Sequence, residues 1–142
     1  MHNNLKEGMK DGIPIALGYF SVSFTFGMLA VNSGMSPLHA VLISLFNLTS
    51  AGQFAGLHVI LAGSSLLEMA LTQLVINMRY ALMSLSLSQK LAPCVKTGHR
   101  LTIAYGVTDE IFAMASSKKE KVGQYYMYGL IVLPVLGWVG GT

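Results

Sequence analysis

Residues 12–67, between Asp11 and Glu68, read GIPIALGYFSVSFTFGMLAVNSGMSPLHAVLISLFNLTSAGQFAGLHVILAGSSLL, a run of 56 residues without one Asp, Glu, Lys or Arg. A transmembrane helix takes about 20 predominantly apolar residues, so this run alone is long enough to cross a bilayer twice. Working outward, Val122–Thr142 is equally free of charge. Over all 142 residues, 53% are hydrophobic and only 11% charged, and the mean hydropathy is +0.58. A soluble domain carries roughly a quarter charged residues, so this chain cannot cover a water-facing globule. The composition points to an all-α, polytopic integral membrane protein, a single membrane domain over residues 1–142. It excludes a soluble enzyme, a disordered segment and a disulfide-stapled secreted module.

The net charge of +3 does not signal nucleic-acid binding. The basic residues fall in small groups between apolar stretches: Lys6 and Lys10; Lys90, Lys96 and Arg100; Lys118, Lys119 and Lys121. Loops flanking membrane segments look like this, with Lys and Arg collected on the cytoplasmic side, and no aromatic residues interleave to stack bases. The single cysteine, Cys94, allows no intrachain disulfide. The apolar stretch Ile13–Val31 has 19 residues, longer than the roughly 7–15 of a signal-peptide core, and reads instead as a first spanning helix with Pro14 in its first turn.

Five apolar segments are expected. The first is Ile13–Val31, closed by Asn32-Ser33-Gly34. The second is Pro37–Ala62, interrupted at Thr49-Ser50-Ala51-Gly52-Gln53, and the third Leu66–Leu91. The fourth is Leu101–Ser117, broken at Thr108-Asp109-Glu110, and the fifth begins near Val122. If every segment crossed once from an inside N-terminus, the basic loop 90–100 would lie outside, against the positive-inside rule. If the second segment re-enters at Ser50–Gln53 and the fourth at its Thr-Asp-Glu break, all three basic groups fall inside. A full second crossing with weak charge bias is the alternative. Interrupted segments are tolerated at membrane depth where protein or a wet cavity receives the backbone, which also makes them pointers to a transport site. The chain stops at Gly140-Gly141-Thr142 without a basic tail, and the expectation is the N-terminal part of a longer protein.

Arg79 is the sharpest individual signal, with ten uncharged residues on either side. An arginine at the centre of a spanning helix costs about 2.5–3.5 kcal/mol on insertion scales, so it should face protein or a wet cavity. At 100° per residue, Glu68, Thr72, Arg79, Ser86 and Lys90 fall within about 20° of one direction, a polar stripe. The bland alternative is an arginine locked in a structural ion pair. Asp109 and Glu110 point about 100° apart on a helix, so one is available to pair with Arg79 and the other to cap a half-helix over Ile111–Ser117; the bland alternative is a shallow, hydrated segment. Thr49, Ser50 and Gln53 offer polar groups at the other break, where the Gly52/Gly56 spacing reads first as helix packing. Asn77, Ser84 and Ser88 read first as helix–helix hydrogen-bonding groups. His39, His58, Cys94 and His99 lack metal-ligand spacing, and no phosphate-binding glycine loop occurs; no metal or cofactor is expected.

Several of these stretches resemble the AzlC-type branched-chain amino acid permease family: Gly8-Met9-Lys10-Asp11-Gly12-Ile13-Pro14 with Gly18, Ser50-Ala51-Gly52-Gln53-Phe54, Asn77-Met78-Arg79-Tyr80-Ala81-Leu82-Met83-Ser84-Leu85-Ser86-Leu87, and Thr108-Asp109-Glu110-Ile111-Phe112. The resemblance runs from about Gly8 to Gly141. It implies a bacterial inner-membrane exporter of valine, leucine, isoleucine or methionine, working with a small AzlD-type membrane subunit. A zwitterion with an aliphatic side chain needs a cation, an acceptor and an apolar pocket. Arg79 suits the first role and Asp109 or Glu110 the second, with Gln53, Thr49 and Asn77 as further polar candidates and proton coupling through the carboxylates a hypothesis. Two rivals stand beside this reading. A membrane-embedded enzyme would need a nucleophile–base pair or metal set, and neither is visible. A non-transporting assembly subunit predicts that loss of Arg79 disturbs assembly before specificity.

Overall fold

The computed structural model describes residues 4–142, and apart from one isolated bridge between Leu91 and Val122 their regular structure is helical, in seven helices: α1 Leu5–Asn32, α2 Pro37–Phe46, α3 Ser50–Leu61, α4 Leu66–Lys90, α5 Thr97–Gly106, α6 Asp109–Ser117 and α7 Gln124–Gly141. The punctuation is local. Gly34 (φ 88°) and Gly63 (φ 62°) supply the left-handed residue that ends α1 and α3. The amides of Met35 and Ser64 then reach back to the carbonyls of Ala30 and Val59, as in a Schellman turn. Pro37 occupies the first turn of α2, where its missing N–H is harmless. The Ser65 hydroxyl accepts from the Glu68 amide at 3.2 Å and starts α4.

Two boundaries differ from the sequence expectation. The second apolar segment breaks at Asn47–Thr49, so Ser50–Gln53 is already the first turn of α3; the fourth breaks at Val107–Thr108, so Asp109 and Glu110 open α6. In both cases a threonine is the residue before the helix, and the polar residues belong to an N-terminus whose free N–H groups favour them. The first helix also begins at Leu5, well before Ile13, which leaves Pro14 inside the helix rather than in its first turn. Tertiary contacts extend it: Lys118 bridges Asp11 at 2.7 Å and Glu7 at 3.5 Å, and the hydrogen bond to Asp11 raises the Lys118 pKa above the ordinary lysine value.

α7 packs along its whole length against α1, and the two run parallel. Gly8 faces Tyr126 and Leu130, Gly12 faces Leu130 and Pro134, Ala16 faces Gly137, and Phe20 and Ser23 face Gly141. A Cβ on Gly137 would lie 2.6 Å from the Ala16 carbonyl oxygen, and one on Gly12 3.1 Å from that of Leu130. Small residues are what let two backbones come this close. α4 runs the other way. Its end meets the start of α7, where the Val122 amide donates to the Lys90 carbonyl and the Ala92 amide to the Val122 carbonyl. The Lys90 ammonium also donates to the Lys118 carbonyl.

The broken pairs enter from opposite ends. α2 and α3 start and finish beside the C-terminal end of α1, where Ala40 and Leu57 share a buried cluster with Phe26 and Ala30. α5 and α6 start and finish at the other end, where Arg100 donates to the carbonyls of Ser88 and Val95 and Lys118 follows α6. A larger core there includes Leu87, Ile103, Ile111, Tyr126 and Leu130. Among the described residues, α1 alone is both long and apolar enough, at a mean hydropathy of 1.6, to meet a simple criterion for a membrane span. The polar stripe of α4, the short lengths of α2, α3, α5 and α6, and the Gln124-Tyr125-Tyr126 opening and the glycines of α7 account for the difference from five apolar segments.

Candidate functional site

The two breaks meet. The Tyr105 hydroxyl at the end of α5 donates to the Leu45 carbonyl at the end of α2, and Leu48, Gly106 and Thr108 line one small void. The first turns of α3 and α6 therefore lie near each other inside the fold. Beside them is a cavity of about 380 Å3 whose wall holds Ser50 of α3, Glu110 of α6, Tyr19, Ile15 and Val22 of α1, and Trp138 of α7.

Its polar chemistry is concentrated on Tyr19 and Glu110. The Tyr19 hydroxyl donates to the Glu110 carboxylate and sits 2.5 Å from the Thr108 hydroxyl. With one proton to give, Tyr19 accepts from Thr108 while donating to Glu110. The Tyr19 ring meets Trp138 edge to face, centroids 5.4 Å apart. Behind that wall, the Trp138 indole N–H donates to Gln53 Oε1 at 2.7 Å, and Gln53 Nε2 donates to Ser44 Oγ at 2.9 Å. Gln53 is 1% exposed.

The polar residues proposed from sequence for substrate binding separate into different places. Arg79 pairs with Asp109, Nη1 to Oδ2 at 2.7 Å, and its guanidinium lies 5.1 Å from the centre of its neighbour's ring, Tyr80. This pair stands one residue behind Glu110 rather than in the cavity wall, and both side chains remain a little over two-fifths exposed. The adjacent carboxylates thus diverge as helix geometry requires, Asp109 to Arg79 and Glu110 to Tyr19. Gln53 supports the wall through Trp138. Thr49 turns back on its own break, its hydroxyl donating to Asn47 Oδ1 at 2.8 Å. Asn77 donates to Gln73, which donates to the Gly52 carbonyl at 2.8 Å, tying α4 to α3. The Asn77 Oδ1 is buried with no hydrogen-bond partner among the described residues. Gly52 and Gly56 lie against Gln73 and Met69 of α4, the packing role their spacing suggests. A larger cavity of about 570 Å3, between α2, α3 and the start of α4, is lined by Leu42, Ile43, Phe46, Leu57 and Ile60 with Asn47, Gln53 and Gln73. No charged side chain is among its lining residues, so it offers no carboxylate to a substrate ammonium.

Tyr19 and Trp138 were not among the sequence candidates. The available signal was weak: a hydroxyl inside an apolar run, and the only tryptophan of the chain.

A family model described as AzlC protein matches residues 14–142. The chain is 34% identical to the inner membrane protein YgaZ of Escherichia coli over 140 residues, covering 96% of this chain and 57% of that protein. It is also 34% identical to an uncharacterized membrane protein of Archaeoglobus fulgidus, covering 96% and 59%. For one from Helicobacter pylori the identity is 32%, covering 100% and 64%. The chain therefore spans about three-fifths of the length of these relatives. No solved structure matches it.

Proposed function

Since the chain belongs to the AzlC family of membrane proteins, we propose that it carries the substrate site of a secondary transporter exporting branched-chain amino acids across the bacterial inner membrane. In this reading α1, α4 and α7 cross the bilayer, and α2–α3 and α5–α6 are re-entrant pairs entering from opposite faces. The arrangement of charge supports it. The N-terminal end of α1, the loop 91–96 and Lys118–Lys121 gather at one end of the fold, which the positive-inside rule makes cytoplasmic.

The observation that carries the proposal is the cavity where the two breaks meet. Glu110 is the acceptor for a substrate ammonium. The N–H groups opening α3 and α6 are donors for the carboxylate, since helix N-termini attract anions. Ile15, Val22 and Trp138 make the aliphatic pocket. Arg79 then acts one step back, holding Asp109 and with it the start of α6. Substrate sites of secondary transporters typically lie where broken helices meet near the midplane, and in this reading Glu110, bonded to the Tyr19 hydroxyl, couples substrate binding to a proton. A small AzlD-type subunit completes the transporter.

The test is export of valine and methionine from dipeptide-loaded cells producing the full-length protein, with membrane levels matched. Glu110→Gln is expected to reduce export more than tenfold, and Tyr19→Phe by a smaller factor. Wild-type export by Glu110→Gln would remove this cavity from the mechanism.

A further inference from the structure

Two consecutive units of the chain, α1–α3 and α4–α6, have the same plan. α1, α2 and α3 have 28, 10 and 12 residues; α4, α5 and α6 have 25, 10 and 9. In each, a long helix is followed by a broken pair, and the threonines before the second half-helix, Thr49 and Thr108, are 59 residues apart. The long helices are antiparallel and the broken pairs enter from opposite ends, so the two units are inverted with respect to each other. α7 starts 58 residues after α4 and opens a third unit, and it docks parallel to the first helix of the first unit.

The same relation can be carried forward by one unit. The α1 positions that receive α7 include Gly8, Gly12, Ala16, Phe20 and Ser23. Moved by 59 residues they become Leu67, Leu71, Val75, Arg79 and Leu82, and every one of these is exposed on α4. That face also holds Arg79, whose ion pair with Asp109 is left half-covered at the middle of an apolar helix. The 140 residues matched in the E. coli relative are 57% of it, so that protein is about 245 residues long, the length of four such units.

We infer that this face of α4 is the docking surface for the first helix of a fourth unit of the same polypeptide, lying parallel to α4 as α7 lies parallel to α1 and covering the Arg79–Asp109 pair. The contact is wider than that between α1 and α7, because Leu67, Leu71 and Val75 stand where α1 has Gly8, Gly12 and Ala16 and hold the backbones apart. The small residues, if any, belong to the incoming helix. None of this depends on which substrate is carried.

Disulfide mapping in the full-length E. coli relative, freed of its own cysteines, tests it. One cysteine replaces the residue aligned with Leu71, Val75 or Leu82, and a second is scanned through the helix one repeat beyond α7. Single-cysteine versions serve as controls for insertion. Intramolecular crosslinks are expected at every third or fourth scanned position. Moving the α4 cysteine from the Leu71 to the Leu82 position should move the responding positions toward the C-terminus, as parallel helices require. Crosslinks moving the opposite way, crosslinks only between two copies, or free reaction of the α4 cysteines with a lipid-soluble probe and no crosslink would each overturn the inference.

Discussion

Two buried or half-buried polar contacts hold the interior at the level of single residues. Gln53 uses both ends of its amide, accepting from Trp138 and donating to Ser44. Gln53→Leu preserves volume but strips the Trp138 indole N–H of its acceptor in a buried site, and leaving such a group unpaired costs about 1–3 kcal/mol. A correspondingly lower midpoint is expected in thermal unfolding of the detergent-solubilised protein, whereas Thr49→Val, which loses only a bond within its own turn, should shift it far less. Arg79 and Asp109 form the second contact. Removing either leaves one charge alone among apolar helices, where the penalty is about 2.5–3.5 kcal/mol on insertion scales. The Arg79→Ala/Asp109→Ala double variant is therefore expected to insert better than either single variant. Membrane-fraction yields compared across that cycle measure the coupling, and simple additivity would mean the two groups do not stabilise each other.

Among the helices, the closest approach is between α1 and α7, and it depends on missing side chains. A methyl group on Gly137 would meet the Ala16 backbone oxygen at 2.6 Å, whereas one on Gly18 meets nothing within 4 Å. Gly137→Ala must push two helices apart, for which overpacking penalties of about 1–3 kcal/mol are typical. Gly18→Ala only gains helix propensity, up to about 1 kcal/mol. The two variants should thus move stability in opposite directions in the same unfolding assay, although both replace a glycine of α1 or α7 by alanine. The half-helices are governed differently. α3 and α6 each open after a threonine in extended conformation, Thr49 and Thr108, and what positions their first turns is the meeting of the two breaks.

For the molecule as a whole, the arrangement of basic groups predicts sidedness. Cys94 lies in the loop between α4 and α5 and is exposed, at the end that gathers the lysines; Ser36, also exposed, precedes α2 at the other end. With α2–α3 and α5–α6 re-entrant, a membrane-impermeant maleimide added to intact cells should spare Cys94 until the membrane is opened. It should react at once with Ser36→Cys in a Cys94→Ser background. Labelling of both from outside would instead indicate a full second crossing and a cytoplasmic end defined by other loops.

The amino-acid sequence by itself determined that this is a helical membrane protein, because 56 consecutive uncharged residues leave no water-soluble alternative. It also marked both interruptions, since Thr49-Ser50 and Thr108-Asp109 are polar groups that an apolar helix has no use for, and it offered Asp109 or Glu110 as a partner for Arg79. Helix ends were misplaced by a few residues, because residues with free N–H donors and acceptors look alike on either side of a break. Pro14 marks a helix start only by a local effect, whereas the contacts of Gly8 and Asp11 that extend α1 past it are tertiary. Which carboxylate pairs with Arg79, that Tyr19 holds the other, and that Trp138 closes the cavity are decisions of the tertiary structure alone. They depend on α1, α6 and α7 being brought side by side across some 90 to 120 positions of chain, as in the contacts of Tyr19 with Glu110 and with Trp138, and no local pattern encodes which faces of three helices will meet.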